Sequence, residues 1–215
     1  MGPRLNIGCG QSPTPGWVNY DNSPAVWLAR WPALAHVLHA VRLLDDSAMG
    51  FVAFCRGRDI RYADAARRIP HADGSVDAIY SSHMIEHLDR VEARAFLAEC
   101  RRVLRPGAVL RLAVPDLRQN AWNYLRLRDA DGFLRHLQFD LDKPRGPAGR
   151  LHRFLTGGRG HHWMYDSDTL PALVSAAGFV EVAVAEEGRT RIADPAGLDL
   201  AEREGDSLVV EARRP

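Results

Sequence analysis

The sequence predicts an α/β domain: a doubly wound, mostly parallel sheet with an antiparallel C-terminal hairpin at one edge. Three observations carry that prediction. Apolar runs of strand character alternate with runs whose apolar residues recur every three or four positions, as successive strand-helix-strand units require. One run, AVLRLAVPD (Ala108 to Asp116), is apolar almost throughout, as a strand covered on both faces should be. The last two apolar runs, FVEVAVAE and SLVVEARR, are separated by a segment with no helical period and therefore pair as a hairpin.

The elements follow in order. Arg4 to Ile7 is a short strand broken by Gly8 and Gly10, and Trp17 to Tyr20 is a second, stopped by Asp21, Asn22 and Pro24. Between about 25 and 55 the pattern turns helical, with Trp27, Leu28, Trp31, Leu34, Val37, Leu38, Val41 and Leu44 at helical spacing and Pro32 dividing it into two pieces. This is read as a helical insert. Ile60 to Ala63 is a brief strand, and SVDAIYSS (Ser75 to Ser82) a stronger one introduced by the turn Asp73-Gly74. The clearest helix runs from Val91 to Leu104: Asp89 and Glu92 form a capping box, and Phe96, Cys100, Val103 and Leu104 make the buried stripe. Residues 118 to 138 read as helix. From Asp140 to His162 the glycines and prolines predict a long basic loop, extending to about 165, before a helix from Ser167 to Ala177.

With 215 residues, of which 46% are apolar, the chain is read as one domain over residues 1–215. A formal charge of +1 argues against a protein that coats nucleic acid. Three widely spaced cysteines, Cys9, Cys55 and Cys100, offer neither a disulfide framework nor a metal knuckle and suggest a reducing cytoplasm. No apolar run has the length of a membrane span, so no membrane partner is expected.

The chemistry starts at LNIGCGQSPTPGWVNYD (Leu5 to Asp21). A dinucleotide fingerprint would need a third glycine where Pro13 stands, and an acid about 20 residues on, whereas Asp21 comes much earlier. Pro13 and Pro15 exclude a helix between the two strands, so the parallel crossover must be a compact loop. What survives is that Gly8 and Gly10 let the backbone approach a ligand at the carboxyl end of the first strand. Asp21, ending the neighbouring strand, can accept from two ribose hydroxyls. An adenosine ligand without a diphosphate satisfies both features.

The ordered set LNIGCG, VNYD, RYADA, IPHADGSVDAIYSSHMIEHL, AECRRVLRPGAVLRLAVPD and AGF resembles the class I S-adenosylmethionine-dependent methyltransferases, and among them the small type 11 group. The resemblance covers roughly residues 4 to 116. It implies a Rossmann-like fold and S-adenosyl-L-methionine as cofactor. Gly8, Cys9 and Gly10 would line its methionine part, Asp21 would hold the ribose, Asp64 would accept from the adenine amino group with Ala65 beside the ring, and Ser81, Ser82 and His83 would flank the cofactor. Many relatives carry an acid where this chain has Asn6, which can orient the loop or the ammonium group by hydrogen bonding without a charge.

HMIEH (His83 to His87) admits two readings. Methyl transfer from a sulfonium needs alignment and, where the nucleophile carries a proton, a base; His83 and His87 can serve near neutral pH, with Glu86 orienting either ring. The same spacing, H-x-x-E-H, can hold zinc for hydrolysis when it lies on a helix. Here it follows a strand directly and no third ligand is evident, so no metal is expected, and a zinc-dependent hydrolase using His83, Glu86 and His87 stays as an alternative. A non-catalytic adenosine-binding or scaffold protein is the other.

The basic stretch carries Lys143, Arg145, Arg150, Arg153 and Arg159 with His152, His161 and His162, and reads either as a solvated connection or as a lid for an anionic acceptor, with Trp163 and Tyr165 either as walls of its pocket or as plain core. The amino-methylating signature of DNA enzymes is absent where SSHM stands, so no nucleic acid is expected. The acceptor expected is a small molecule or glycan, methylated on oxygen or nitrogen.

Overall fold

The computed structural model describes residues 2–138, 146–156, 160–186, 188–201, 205 and 207–215, apart from the side chains of residues 148 and 156. Seven strands, β1 (Arg4–Ile7), β2 (Val18–Asp21), β3 (Ile60–Tyr62), β4 (Val76–Ser82), β5 (Leu104–Pro115), β6 (Val180–Val184) and β7 (Ser207–Arg213), form one sheet in the order β3-β2-β1-β4-β5-β7-β6. The first five are parallel, and β7 runs antiparallel to both β5 and β6. The predicted hairpin is therefore present, with its second strand inside the sheet.

The β1–β2 crossover has no helix to satisfy its backbone groups. Two buried asparagines do this instead. Asn6 Nδ2 donates to Ser12 O at 3.0 Å and Thr14 Oγ1 at 2.9 Å, while Asn19 accepts from Thr14 N at 2.7 Å and donates to the carbonyls of Thr14 and Trp17. An aspartate at position 6 could not donate, so the asparagine belongs to the architecture of this loop.

The insert forms three helices, α1 (Pro24–Leu28), α2 (Pro32–Ala40) and α3 (Asp46–Cys55), one more than predicted. Pro32 opens α2, where a missing N–H costs nothing, and Asp45 caps α3 by accepting from Ala48 N at 2.8 Å. Leu28, Ala35, Leu44, Ala48 and Val52 bury one another in a satellite core. Helix α4 (Arg90–Val103) has the predicted capping box: Asp89 Oδ1 accepts from the N–H groups of Val91 and Glu92, and Glu92 returns a contact to Asp89 N. Asp89→Ala is expected to cost about 1 kcal/mol, read as a lower urea midpoint at unchanged m-value.

The predicted helix at 118–138 is two, α5 (Leu117–Leu127) and α6 (Ala130–His136), broken where Arg128 adopts φ 56°. The long basic loop needs a larger correction, because Gly146–Thr156 is helix α7. Pro147 stands in its first turn, which tolerates proline. Farther along, Leu155 packs on the satellite core, and His152 meets Leu43 O at 3.2 Å and Asp45 at 3.7 Å. Docking overrides composition here. Helix α8 (Thr169–Ala176) precedes β6.

The main core lies between one sheet face and the α4 and α8 side, with Leu5, Ile79, Phe96, Leu97, Leu110 and Val174 fully buried. Trp17, Tyr80, Val109 and Ile192 fill the other face. Across β5 and β7, Arg111 and Glu211 are register partners, each almost fully buried, with Nη1 2.9 Å from Oε1. Arg111 also donates to Arg189 O, and the carboxylate accepts from Thr190 Oγ1 and Arg191 N. Burial pushes the Glu211 carboxyl up, but the hydrogen bonds from Thr190, Arg191 and Arg111 outweigh it and hold it below the ordinary range. Among the described residues, no helix is long and apolar enough to cross a membrane.

Candidate functional site

The carboxyl ends of β1, β2 and β4 meet on one edge, where an open sheet binds ligands. Gly8, at φ 72°, turns the chain sharply after β1, and a Cβ there would run into the Met84 side chain. Gly10 N donates to Asp21 Oδ2 at 2.9 Å and Ser23 N to Oδ1 at 2.7 Å. The glycine bend and the acid at the end of β2 are thus in direct contact. An ionised carboxylate has about four acceptor sites, so two backbone donors leave it able to take a pair of hydroxyls.

Two cavities share Gly8, Gly10 and His83 as walls. The larger, about 640 Å³, is lined by Asp21, Asn22, Ser23 and Pro24, by Phe51 of α3, by Met84, His87 and Leu88, and by Arg150, Arg153, Phe154 and His162. The smaller, about 380 Å³, is lined by Asn6, Cys9, Gln11, Ser12, Tyr80 and Ser82. Both lie in the size range of small-molecule sites. The insert helices, to which the sequence assigns no chemistry, close one side of the larger cavity, and α7 brings arginines to it. Phe51, Arg150 and Phe154 reach the site through helix docking, and helical spacing alone does not distinguish such a wall from plain core.

His83 follows β4 with φ 49°, a left-handed conformation uncommon for a residue with a side chain. Its Nε2 lies 2.8 Å from Ser207 Oγ at the start of β7, and its Nδ1 3.5 Å from Glu86 Oε1. Glu86 is wholly buried in a 3-10 turn, Ile85–His87. The carbonyl of Glu86 accepts from the N–H groups of His162 and Trp163, which fastens the 161–163 segment onto that turn. As a result His161, itself buried, stands edge-on to His87 with ring centroids 4.8 Å apart. His87 Nδ1 meets Gly160 O at 3.3 Å.

Other expected site residues lie elsewhere. Asp64 pairs with Arg67 at 3.3 Å and Ala65 packs in the main core; neither lines either cavity. Ser81 is buried within β4, while its neighbour Ser82, on the opposite face, reaches the smaller cavity. Trp163 and Tyr165 do not wall the larger cavity: Arg90 lies 4.5 Å over the Trp163 ring, and Tyr165 is buried in the core, bridged to Asp116. Lys143, Arg145 and Arg159 lie outside the described residues.

The site thiols are not poised as nucleophiles. Burial, then the Asp21 charge, pushes the Cys9 thiol far up, and the same two effects raise Cys55 to about 11 against the opposing Arg58. The Tyr165 hydroxyl is raised to about 12, chiefly by burial, with Arg90 opposing and Glu86 adding to the rise.

Residues 28–112 match the family described as methyltransferase domain. A probable S-adenosylmethionine-dependent methyltransferase of Mycolicibacterium smegmatis is 41% identical over 70 residues, which is 30% of this chain and 26% of that protein. The match therefore spans about a quarter of that relative. Among solved structures, a methyltransferase from Thermotoga maritima, described as a possible histamine N-methyltransferase, superposes with TM-score 0.52 at 16% identity, covering 100% of this chain and 83% of that one. An S-adenosylmethionine-dependent methyltransferase from Archaeoglobus fulgidus gives 0.50 at 13% identity, with coverage of 99% and 86%. A structure described as PigF with SAH gives 0.50 at 14%, with coverage of 98% and 50%. These likenesses establish the fold.

Proposed function

We propose that the chain is a methyltransferase of the S-adenosylmethionine-dependent kind, as the family match over residues 28–112 supports, and that it transfers a methyl group from S-adenosyl-L-methionine to an oxygen or nitrogen of a small, anionic acceptor. The observation that carries this reading is the pair of cavities meeting at Gly8, Gly10 and His83, with the Asp21 carboxylate on one side and Asn6, Cys9 and Ser82 on the other. A ligand with a ribose diol at one end and an amino-acid group at the other fits that division. Asp21 holds the diol, and Gly8, Cys9, Gly10 and Ser82 line the amino-acid end.

When bound, the cofactor supplies a methyl carbon on an excellent leaving group. The chain's own residues then need only bring an acceptor into line and remove its proton. Arg150 and Arg153, which line the larger cavity, hold the anionic part of the acceptor. His83 is a positioning residue whose ring nitrogens are directed at Ser207 and Glu86. His162, which lines the larger cavity beside the arginines, takes the proton. Three thiols, all buried and none in a disulfide, suit a reducing compartment such as the cytoplasm.

The test is release of S-adenosylhomocysteine from matched carboxylated, phosphorylated and neutral small molecules and glycans. Turnover is expected with anionic members only. Reversing charge at Arg150 and Arg153 together should raise the acceptor KM about 10- to 100-fold, the worth of one or two charge-assisted hydrogen bonds, and leave the cofactor KM unchanged. A KM insensitive to both reversals would end the anionic reading. Cofactor binding without any release would favour a non-catalytic role.

A further inference from the structure

Glu86, His87 and His161 each offer a donor atom, and these atoms all lie within 4.8 Å of one another. We propose that they form a binding site for one divalent first-row transition cation, in the class of Zn2+, Mn2+ and Co2+. The inference stands apart from the methyl-transfer reading, since it rests on a different cluster and its readout is metal binding itself.

Two imidazoles and one carboxylate make a mixed nitrogen and oxygen set that suits these ions and leaves coordination positions open. Around an ion with bonds of about 2.1 Å, neighbouring donors stand roughly 3.0–3.4 Å apart. The widest pair must therefore close by about 1.5 Å, which side-chain rotation can supply. The backbone is already assembled for this. Donation from His162 N and Trp163 N to Glu86 O, at 2.8 and 3.1 Å, clamps the loop bearing His161 against the turn bearing Glu86 and His87.

Ring orientation is set as well. The carbonyl of Gly160 can only accept, so His87 donates through Nδ1, which in the neutral ring makes Nε2 the nitrogen that can bind an ion, as in histidine ligands fixed by a backbone carbonyl. Glu86 is wholly buried and His161 is 8% exposed, so their attraction for a cation is little screened by solvent. His87 also lines the larger cavity, which gives water or a ligand oxygen access to the open coordination positions. The sequence pattern H-x-x-E-H suggests His83 as a ligand, but its Nε2 is directed at Ser207, and the third donor comes from the far loop instead.

The experiment uses the full chain, stripped with chelator and dialysed. Zn2+ binding is followed by calorimetry and Co2+ binding by its d–d absorption, with Mg2+ as the hard-cation comparison. Expected are one Zn2+ per chain at micromolar affinity or tighter, a low-symmetry Co2+ spectrum, and no comparable heat from Mg2+. His161→Ala and His87→Ala should each weaken Zn2+ by at least about 100-fold, the upper end of what loss of a merely supporting contact costs. Replacement of the exposed His36 should change nothing. Glu86→Gln should weaken Zn2+ as well, and should that variant fail to fold, His161→Ala, on a loop, still decides. Substoichiometric or millimolar Zn2+ binding, or Zn2+ affinity unaltered in both histidine variants, overturns the site. Failure here leaves cofactor binding, measured without metal, untouched.

Discussion

Asp21→Ala is expected to weaken S-adenosylmethionine and S-adenosylhomocysteine binding about 30- to 150-fold in calorimetry, corresponding to roughly 2–3 kcal/mol. The size follows from what the carboxylate does. It accepts from Gly10 N and Ser23 N, which fixes the bend after β1, and it keeps acceptor capacity toward the larger cavity. Removing it leaves both backbone donors without their acceptor and takes the charge from the diol contact. Asp21→Asn separates the two roles, because the amide retains one acceptor oxygen for the loop but offers no charge. Its affinity should fall between wild type and alanine. Binding as tight in Asp21→Ala as in wild type would mean that the nucleoside sits elsewhere.

Arg111→Leu is expected to destabilise the fold by about 3 kcal/mol near neutral pH, the low end for breaking a buried pair because Arg191 stays on the carboxylate, read from urea unfolding. Glu211 would remain buried and lose the guanidinium 2.9 Å away, keeping only that of Arg191, whose Nε lies 3.3 Å from Oε2. The pH dependence has a definite sign. The folded-state pKa of Glu211 lies below its ordinary 4.5, so its stabilising contribution is present above that value and is lost as pH falls through the folded pKa. In the variant the carboxyl keeps its hydrogen bonds from Thr190 and Arg191 but loses that from Arg111, so it is held less low, protonates at a higher pH than in wild type, and the gap between variant and wild type narrows with acidification. Replacing both Arg111 and Glu211 by leucine should recover part of the loss, since an apolar pair needs no counter-charge. A constant gap from pH 7 down to pH 4 would show that the cost is one of packing.

The sheet was legible because its signals are local. The apolar run at 108–116, the glycines after β1 and the aspartate ending β2 each carry their own reason, and the capping box at Asp89 and Glu92 marks its helix start without help from the rest of the chain. Part of the cavity lining was legible as well, including Arg150, Arg153 and His162 of the basic stretch. Gly8, Gly10, Asp21 and His83 lie on the cavity walls as the sequence suggests. Asn6 invites comparison with an acid in related sequences, yet its burial and its two donations show that it holds the crossover. Helix α7 was hidden by glycine and proline content, because the contacts that stabilise it, Leu155 on the insert and His152 at Leu43, come from the opposite end of the chain. His161 is named by the sequence only for the acceptor lid; its place beside Glu86 and His87 was hidden for the same reason, since hydrogen bonds between distant backbone segments bring them together. Trp163 and Tyr165, placed by the sequence only at the end of the basic stretch, turn instead to Arg90 and to the core.

The position of β7 has a kinetic consequence. It is the last strand in chain order, yet it lies between β5 and β6 and supplies Ser207 to His83. On the ribosome, six strands emerge before the one that joins them, and until then β5 presents an unpaired edge rich in valine and leucine. Such a nascent intermediate is exposed to edge-to-edge association, and chaperone occupancy should peak just before residues 207–213 leave the exit tunnel.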